Sequence, residues 1–131
     1  MMVRHQLADV KILLIEGHPA LREAMAGYLA HQGAEVRSYS DPDAATAAGT
    51  DFCPNILLCE IKIPVRGALL LLKHLHQSTR ETDSKVMAVG LSGLSAFTAE
   101  RSILSAGFDA VLQKPFGPAQ LLQLLFRLLS R

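Results

Sequence analysis

The chain has 131 residues, half of them hydrophobic, and a net charge of +1. That length suits one domain with a substantial core, and the apolar content argues against disorder. The near-neutral charge, with Lys and Arg scattered rather than blocked, leaves no field to attract nucleic acid, and no apolar run approaches the roughly 20 residues needed to span a bilayer.

The first nine residues read as a tail without an apolar leader. Lys11 to Ile15 is a buried strand, and Pro19 to Gln32 a helix with Leu21, Met25, Tyr28 and Leu29 on one face, closed by Gly33. Glu35 to Tyr39 alternates like a sheet-edge strand. Asp41 offers an N-cap with Pro42 at the first helical position, and a short Ala-rich helix runs to Gly49. Asn55 to Cys59 is the third strand. A loop through Pro64 and Gly67 leads to a helix of about ten residues holding Leu69 to Leu72 and Leu75. Lys85 to Leu91 is the fourth strand, Thr98 to Ala106 a helix ended by Gly107, Ala110 to Gln113 the last strand and Pro118 to Leu129 the last helix. The domain is expected from residue 10 to residue 131.

Strands apolar on both faces, each followed by a helix, imply a parallel sheet covered on both sides. In such folds the reacting groups stand at the carboxyl ends of the strands. The residues there are Glu16, Glu60, Ser92 and Lys114, so two carboxylates, a hydroxyl and an ammonium are expected to converge. Cys53 and Cys59 read as reduced thiols of a cytoplasmic protein, with Cys59 a small buried hydrophobe. His18 reads as a solvated residue before a helix, and the five histidines show no metal-ligand spacing.

The pieces Ile12-Leu13-Leu14-Ile15-Glu16, Ile61 to Pro64, Leu91-Ser92-Gly93, Ala106-Gly107-Phe108-Asp109 and Lys114-Pro115-Phe116, in this order and spacing, resemble the receiver domain of two-component response regulators. The resemblance runs from about Val10 to Leu129. It implies a flavodoxin-like, CheY-like α/β fold with a five-stranded parallel sheet in the order 2-1-3-4-5. It also implies an acidic pair holding Mg²⁺, an aspartate taking a phosphoryl group from a histidine kinase, a hydroxyl contacting the phosphate and a lysine pairing with it. Carried over by position, Glu16 keeps one acid of the pair, Ser92 supplies the hydroxyl, Lys114 the ammonium, and Lys62 a backbone carbonyl for the metal.

Three departures matter. Gly17 stands where the second metal-binding acid belongs, Glu60 where the acceptor aspartate belongs, and Val111 where an aromatic residue reports the state of the site. A milder one is Ala68 in place of a loop glycine. Mg²⁺ demands near-octahedral oxygen geometry, so Glu16, Glu60 and Lys62 are expected to form a weak metal site or none. Phosphoryl transfer needs in-line positioning, and a shift of about 1 Å, the reach of one extra methylene, costs roughly 100-fold in rate. Glu60 is instead expected to form a standing hydrogen bond to Ser92 or Lys114. A Lys–carboxylate attraction at roughly 4 Å and an effective dielectric near 20 is on the order of 4 kcal/mol before desolvation.

The leading expectation is therefore an atypical receiver that is not an enzyme. It would act as a phosphorylation-independent or weakly phosphorylated interaction module for a histidine kinase or a downstream regulator. The alternatives are a working phospho-acceptor using Glu60 or another acid such as Asp51, and a flavodoxin-like small-ligand domain. The latter lacks a Gly-rich phosphate loop after the first strand. The last helix carries more leucines than one core-facing stripe of about 100° needs, so a homodimer or a docked partner is expected through helix 118–129, to be tested at whichever of Leu121, Leu124 and Leu128 face solvent. The chain ends directly after that helix, and no output segment is expected within it.

Overall fold

The structure, a computed structural model, describes residues 6–49, 51–62, 65–79, 85–93 and 97–130. Five strands and five helices alternate: β1 (Lys11–Ile15), α1 (Pro19–His31), β2 (Glu35–Tyr39), α2 (Pro42–Ala48), β3 (Ile56–Glu60), α3 (Arg66–Thr79), β4 (Met87–Ser92), α4 (Phe97–Ser105), β5 (Ala110–Gln113) and α5 (Pro118–Leu129). The strands form one parallel sheet in the order β2-β1-β3-β4-β5. Ile63 and Pro64, expected in the loop after β3, lie outside the described residues.

The period of two along each strand divides the core. Ile12, Leu14, Ile56, Leu58, Val89 and Leu91 meet α1 and α5 on one face through Met25, Leu29, Leu121, Leu125 and Leu128. Leu13, Ile15, Leu57, Cys59 and Ala88 meet α2, α3 and α4 on the other through Ala45, Leu71, Leu72, Leu75 and Ile103. The central strands are buried on both sides, whereas β2 and β5 at the edges are partly exposed.

Local chemistry starts the helices where expected. Asp41 Oδ1 accepts from Ala44 N at 2.8 Å with Pro42 following, and His18 caps α1 through its ring, Nδ1 accepting from Leu21 N at 3.3 Å. His18 thus has a capping role beyond the solvated position read from sequence.

Several boundaries differ from the sequence reading. Glu60 and Ser92 are the last residues of β3 and β4 rather than the residues after them, because Glu60 pairs with Leu91 and Ser92 with Gln113 in the sheet. The third helix has 14 residues instead of about ten, since nothing between Arg66 and Thr79 breaks it. Within the segment expected as a tail, residues 1–5 lie outside the described residues, while Leu7 is fully buried with α1, α5 and β1, and its N–H donates to Gln32 O at 2.7 Å.

Gly90 in β4 sets how closely α4 packs. A Cβ there would stand 2.9 Å from Ile103 Cγ2 and 3.1 Å from Ile61 Cγ1, both in the buried layer. Gly90→Ala is expected to destabilise the fold by about 1–3 kcal/mol, read as a lower urea midpoint at unchanged slope.

Candidate functional site

Each ladder runs one bond past its strand. Glu16 N donates to Tyr39 O at 3.1 Å, Ile61 N to Leu91 O at 2.8 Å and Lys114 N to Ser92 O at 2.8 Å. With Ile15 level with Cys59, this register brings Glu16 and Glu60 side by side at the carboxyl end of the sheet. Lys114 reaches them from beyond β5. The four residues expected at the strand ends are therefore placed at one end, and three of them meet directly.

Lys114 Nζ lies 2.6 Å from Glu16 Oε1 and 2.6 Å from Glu60 Oε2, so one ammonium bridges two carboxylates. Glu16 is fully buried. Its Oε2 accepts from His18 N at 2.9 Å, and its backbone oxygen accepts from Arg22 Nη1 at 2.8 Å. Glu16 Oε1 has no hydrogen bond among the described residues, and the ammonium meets it as an ion pair. The other oxygen of Glu60, Oε1, accepts from Gly17 N at 3.1 Å and lies 3.5 Å from Lys62 Nζ.

Of the two partners expected for Glu60, the structure supplies Lys114. Ser92 is buried at the end of β4, where its carbonyl receives the Lys114 N–H. Lys62, expected to contribute its backbone carbonyl, pairs with Glu60 through its side chain, a role that sequence reasoning missed. Val111 is half-buried against the layer under α3 and α4. Asp51 is exposed and precedes β3, so it lies at the other end of the strand from Glu60. A cavity of about 100 Å³ opens beside Glu60, lined also by Ser40, Asp41, Lys62 and Gly67. Among the described residues no group of three or more His, Cys, Asp and Glu could hold a metal ion.

The charges respond to this packing. Burial pushes the Glu60 carboxyl up, but the hydrogen bonds from Lys114 and Gly17 and the Lys114 charge outweigh it and bring it from 4.5 to about 2. Burial pulls the Lys114 ammonium down, while pairing with Glu16 and Glu60 outweighs that and raises it. The Cys59 thiol, fully buried and neighbour to both carboxylates, is pushed up to about 12, first by burial and then by the charges of Glu60 and Glu16.

A folded-state value below the unfolded one means that Glu60 stabilises the fold fully above about pH 4.5 and loses this contribution as the pH falls toward 2. Allowing for solvent screening of a partly exposed pair, about 1–3 kcal/mol is at stake. The raised Lys114 works in the opposite sense, contributing below its ordinary 10.5 and losing the contribution above it. Urea unfolding from pH 6 down to pH 2.5 is expected to show this acid slope in the natural protein and a shallower one in Glu60→Gln.

Comparison with known proteins agrees with the geometry. Residues 12–126 match the family model of the response regulator receiver domain. The transcriptional regulatory protein TrcR of Mycobacterium tuberculosis is 26% identical over 124 residues, covering 95% of this chain and 47% of that protein, so the chain spans about half of this curated relative's length. Among solved structures, NtrX from Brucella abortus aligns with a TM-score of 0.74 at 28% identity, covering 92% of this chain and 26% of that one. A CheY-like receiver from Methanospirillum hungatei aligns at 0.76 with 23% identity, covering 92% and 94% of the two chains, and shares the fold. With the matched family model running over most of its length and its strand-end residues gathered at the carboxyl edge of the sheet, this chain belongs to the response regulator receiver domains of two-component signalling.

Proposed function

We propose that this receiver has exchanged phosphoryl chemistry for a standing ion-pair clamp and serves as an interaction module rather than an enzyme. The observation that carries this reading is the Lys114 ammonium lying 2.6 Å from both carboxylates. An ordinary receiver is expected to bring its lysine to the acceptor through a bound phosphate. Here the carboxylate reaches the lysine by itself.

The same geometry bears on Mg²⁺. A divalent ion shared by Glu16 and Glu60 would have to stand close to the ammonium that already bridges them, and Gly17 offers only a backbone N–H, which repels a cation. The residues present do not fit the ion. Glu60 is also a poor nucleophile in this setting, since both of its oxygens are engaged and its proton affinity is low. Incubation with acetyl phosphate and Mg²⁺ is expected to leave the intact mass unchanged. Stoichiometric labelling that disappears in Glu60→Gln would overturn this reading.

An interaction module needs a surface. Of the three leucines on α5 to be tested where they face solvent, Leu121 and Leu128 are buried against α1 and β1, and Leu124 is half-buried. The residues left outside are Phe126 and Leu129, 37% and 38% exposed, with half-buried Leu122 on the same face at a spacing of four and seven. We place self-association, or docking of a histidine kinase or downstream regulator, on this face. Phe126→Glu with Leu129→Glu is expected to give a folded protein with unchanged circular dichroism that sediments as a monomer. The natural protein is expected to associate with rising concentration.

A further inference from the structure

Gly17 and Glu60 share one volume. A Cβ built on Gly17 would stand 3.1 Å from Glu60 Oε1 and 2.9 Å from Lys62 Nζ, and the Gly17 N–H donates to that same Glu60 oxygen at 3.1 Å. The long carboxylate thus folds back into the place where a side chain at position 17 would begin. We infer that Gly17 is a positioning residue for the clamp: the missing side chain at 17 is the room that lets Glu60 reach both the Gly17 N–H and the Lys114 ammonium. This rests on reading Glu60 as a clamp. Its test follows the carboxylate itself, not phosphorylation, so the two fail separately.

The two neighbours would respond differently to a side chain at 17. Lys62 is 72% exposed, and its end swings into water at little cost. Glu60 is tied at both oxygens, with the cavity beside Ser40, Asp41 and Gly67 next to it. Giving way by a few tenths of an ångström would loosen its bonds to the Gly17 N–H and the ammonium. Shortening the side chain to aspartate withdraws the carboxylate by about 1 Å, the reach of one methylene, and vacates the contested space. Gly17 has no positive φ that would strain an L-residue, so alanine there meets the ends of the Lys62 and Glu60 side chains closely and Ser40 O at an ordinary 3.6 Å.

Six proteins test the pairing: the natural chain, Gly17→Ala, Glu60→Asp, the double variant of these two, and Lys62→Ala with and without Gly17→Ala. Each is followed by thermal unfolding, and those with Glu60 by NMR titration of its side-chain carboxyl. Gly17→Ala alone is expected to lower the melting midpoint by about 3–5 °C and to move the Glu60 titration from about 2 toward the usual ~4.3. In the Glu60→Asp background the same substitution is expected to leave the midpoint unchanged or raise it by about a degree, as alanine for glycine does at an unstrained site. In a Lys62→Ala background the titration shift persists. Its disappearance there would assign the contact to Lys62 and overturn the pairing of 17 with 60. An unchanged Glu60 titration in Gly17→Ala, or equal destabilisation in both backgrounds at position 60, would overturn it as well. If Gly17→Ala does not fold alone, recovery with Glu60→Asp carries the same conclusion, and lack of recovery refutes it.

Discussion

One ammonium shared by two carboxylates is the constraint around which the strand ends are arranged. Glu16 is fully buried, and a carboxylate in that position costs several kcal/mol unless it is paired and hydrogen-bonded. Lys114 supplies the charge, while the His18 N–H and the bridge to Glu60 complete the surroundings. Removing the lysine would leave two carboxylates facing each other, with the more distant Lys62 paired to Glu60 alone. The cost of breaking such a group exceeds what the intact group contributes over an apolar replacement, so the clamp specifies an arrangement more than it adds stability.

The sheet is what makes the sharing possible. Parallel strands in register deliver their last residues to one edge, and the ladder bonds beyond Ile15, Glu60 and Gln113 hold the backbone there while the side chains remain free to turn inward. Beneath the clamp the two apolar layers fix the helices. The α1 layer also positions the Glu16–His18 turn, since His18 both donates its N–H to Glu16 and caps the helix through its ring.

Much of this was legible from residue patterns. Alternating apolar runs and helical stripes give the order of elements, and residues at strand ends give Glu16, Glu60, Ser92 and Lys114, because the fold's geometry alone decides where those positions meet. What patterns do not carry is side-chain direction at the surface. Lys62 was read for its carbonyl, yet its ammonium turns back to Glu60. On α5 the leucine surplus was visible, but the phase was not: Leu121, Leu125 and Leu128 face α1, and this follows from how two helices settle on one sheet face. The run Leu69 to Leu72 hides a similar split, with Leu71 and Leu72 buried and Leu69 and Leu70 left 37% and 57% exposed. Position 17 reads from sequence only as a lost ligand, whereas in space it is room that another side chain uses.

Cys59 offers a built-in reporter of that room. Its thiol lies under the clamp on β3, fully buried, with its proton held up to about 12 by burial and by the neighbouring carboxylates. Since the thiolate is the reactive form, alkylating reagents and oxidants find almost nothing to attack near neutral pH while the strand end stays closed. Cys53, just before β3, is only partly covered. Six residues on, Cys59 keeps time with the opening of the sheet.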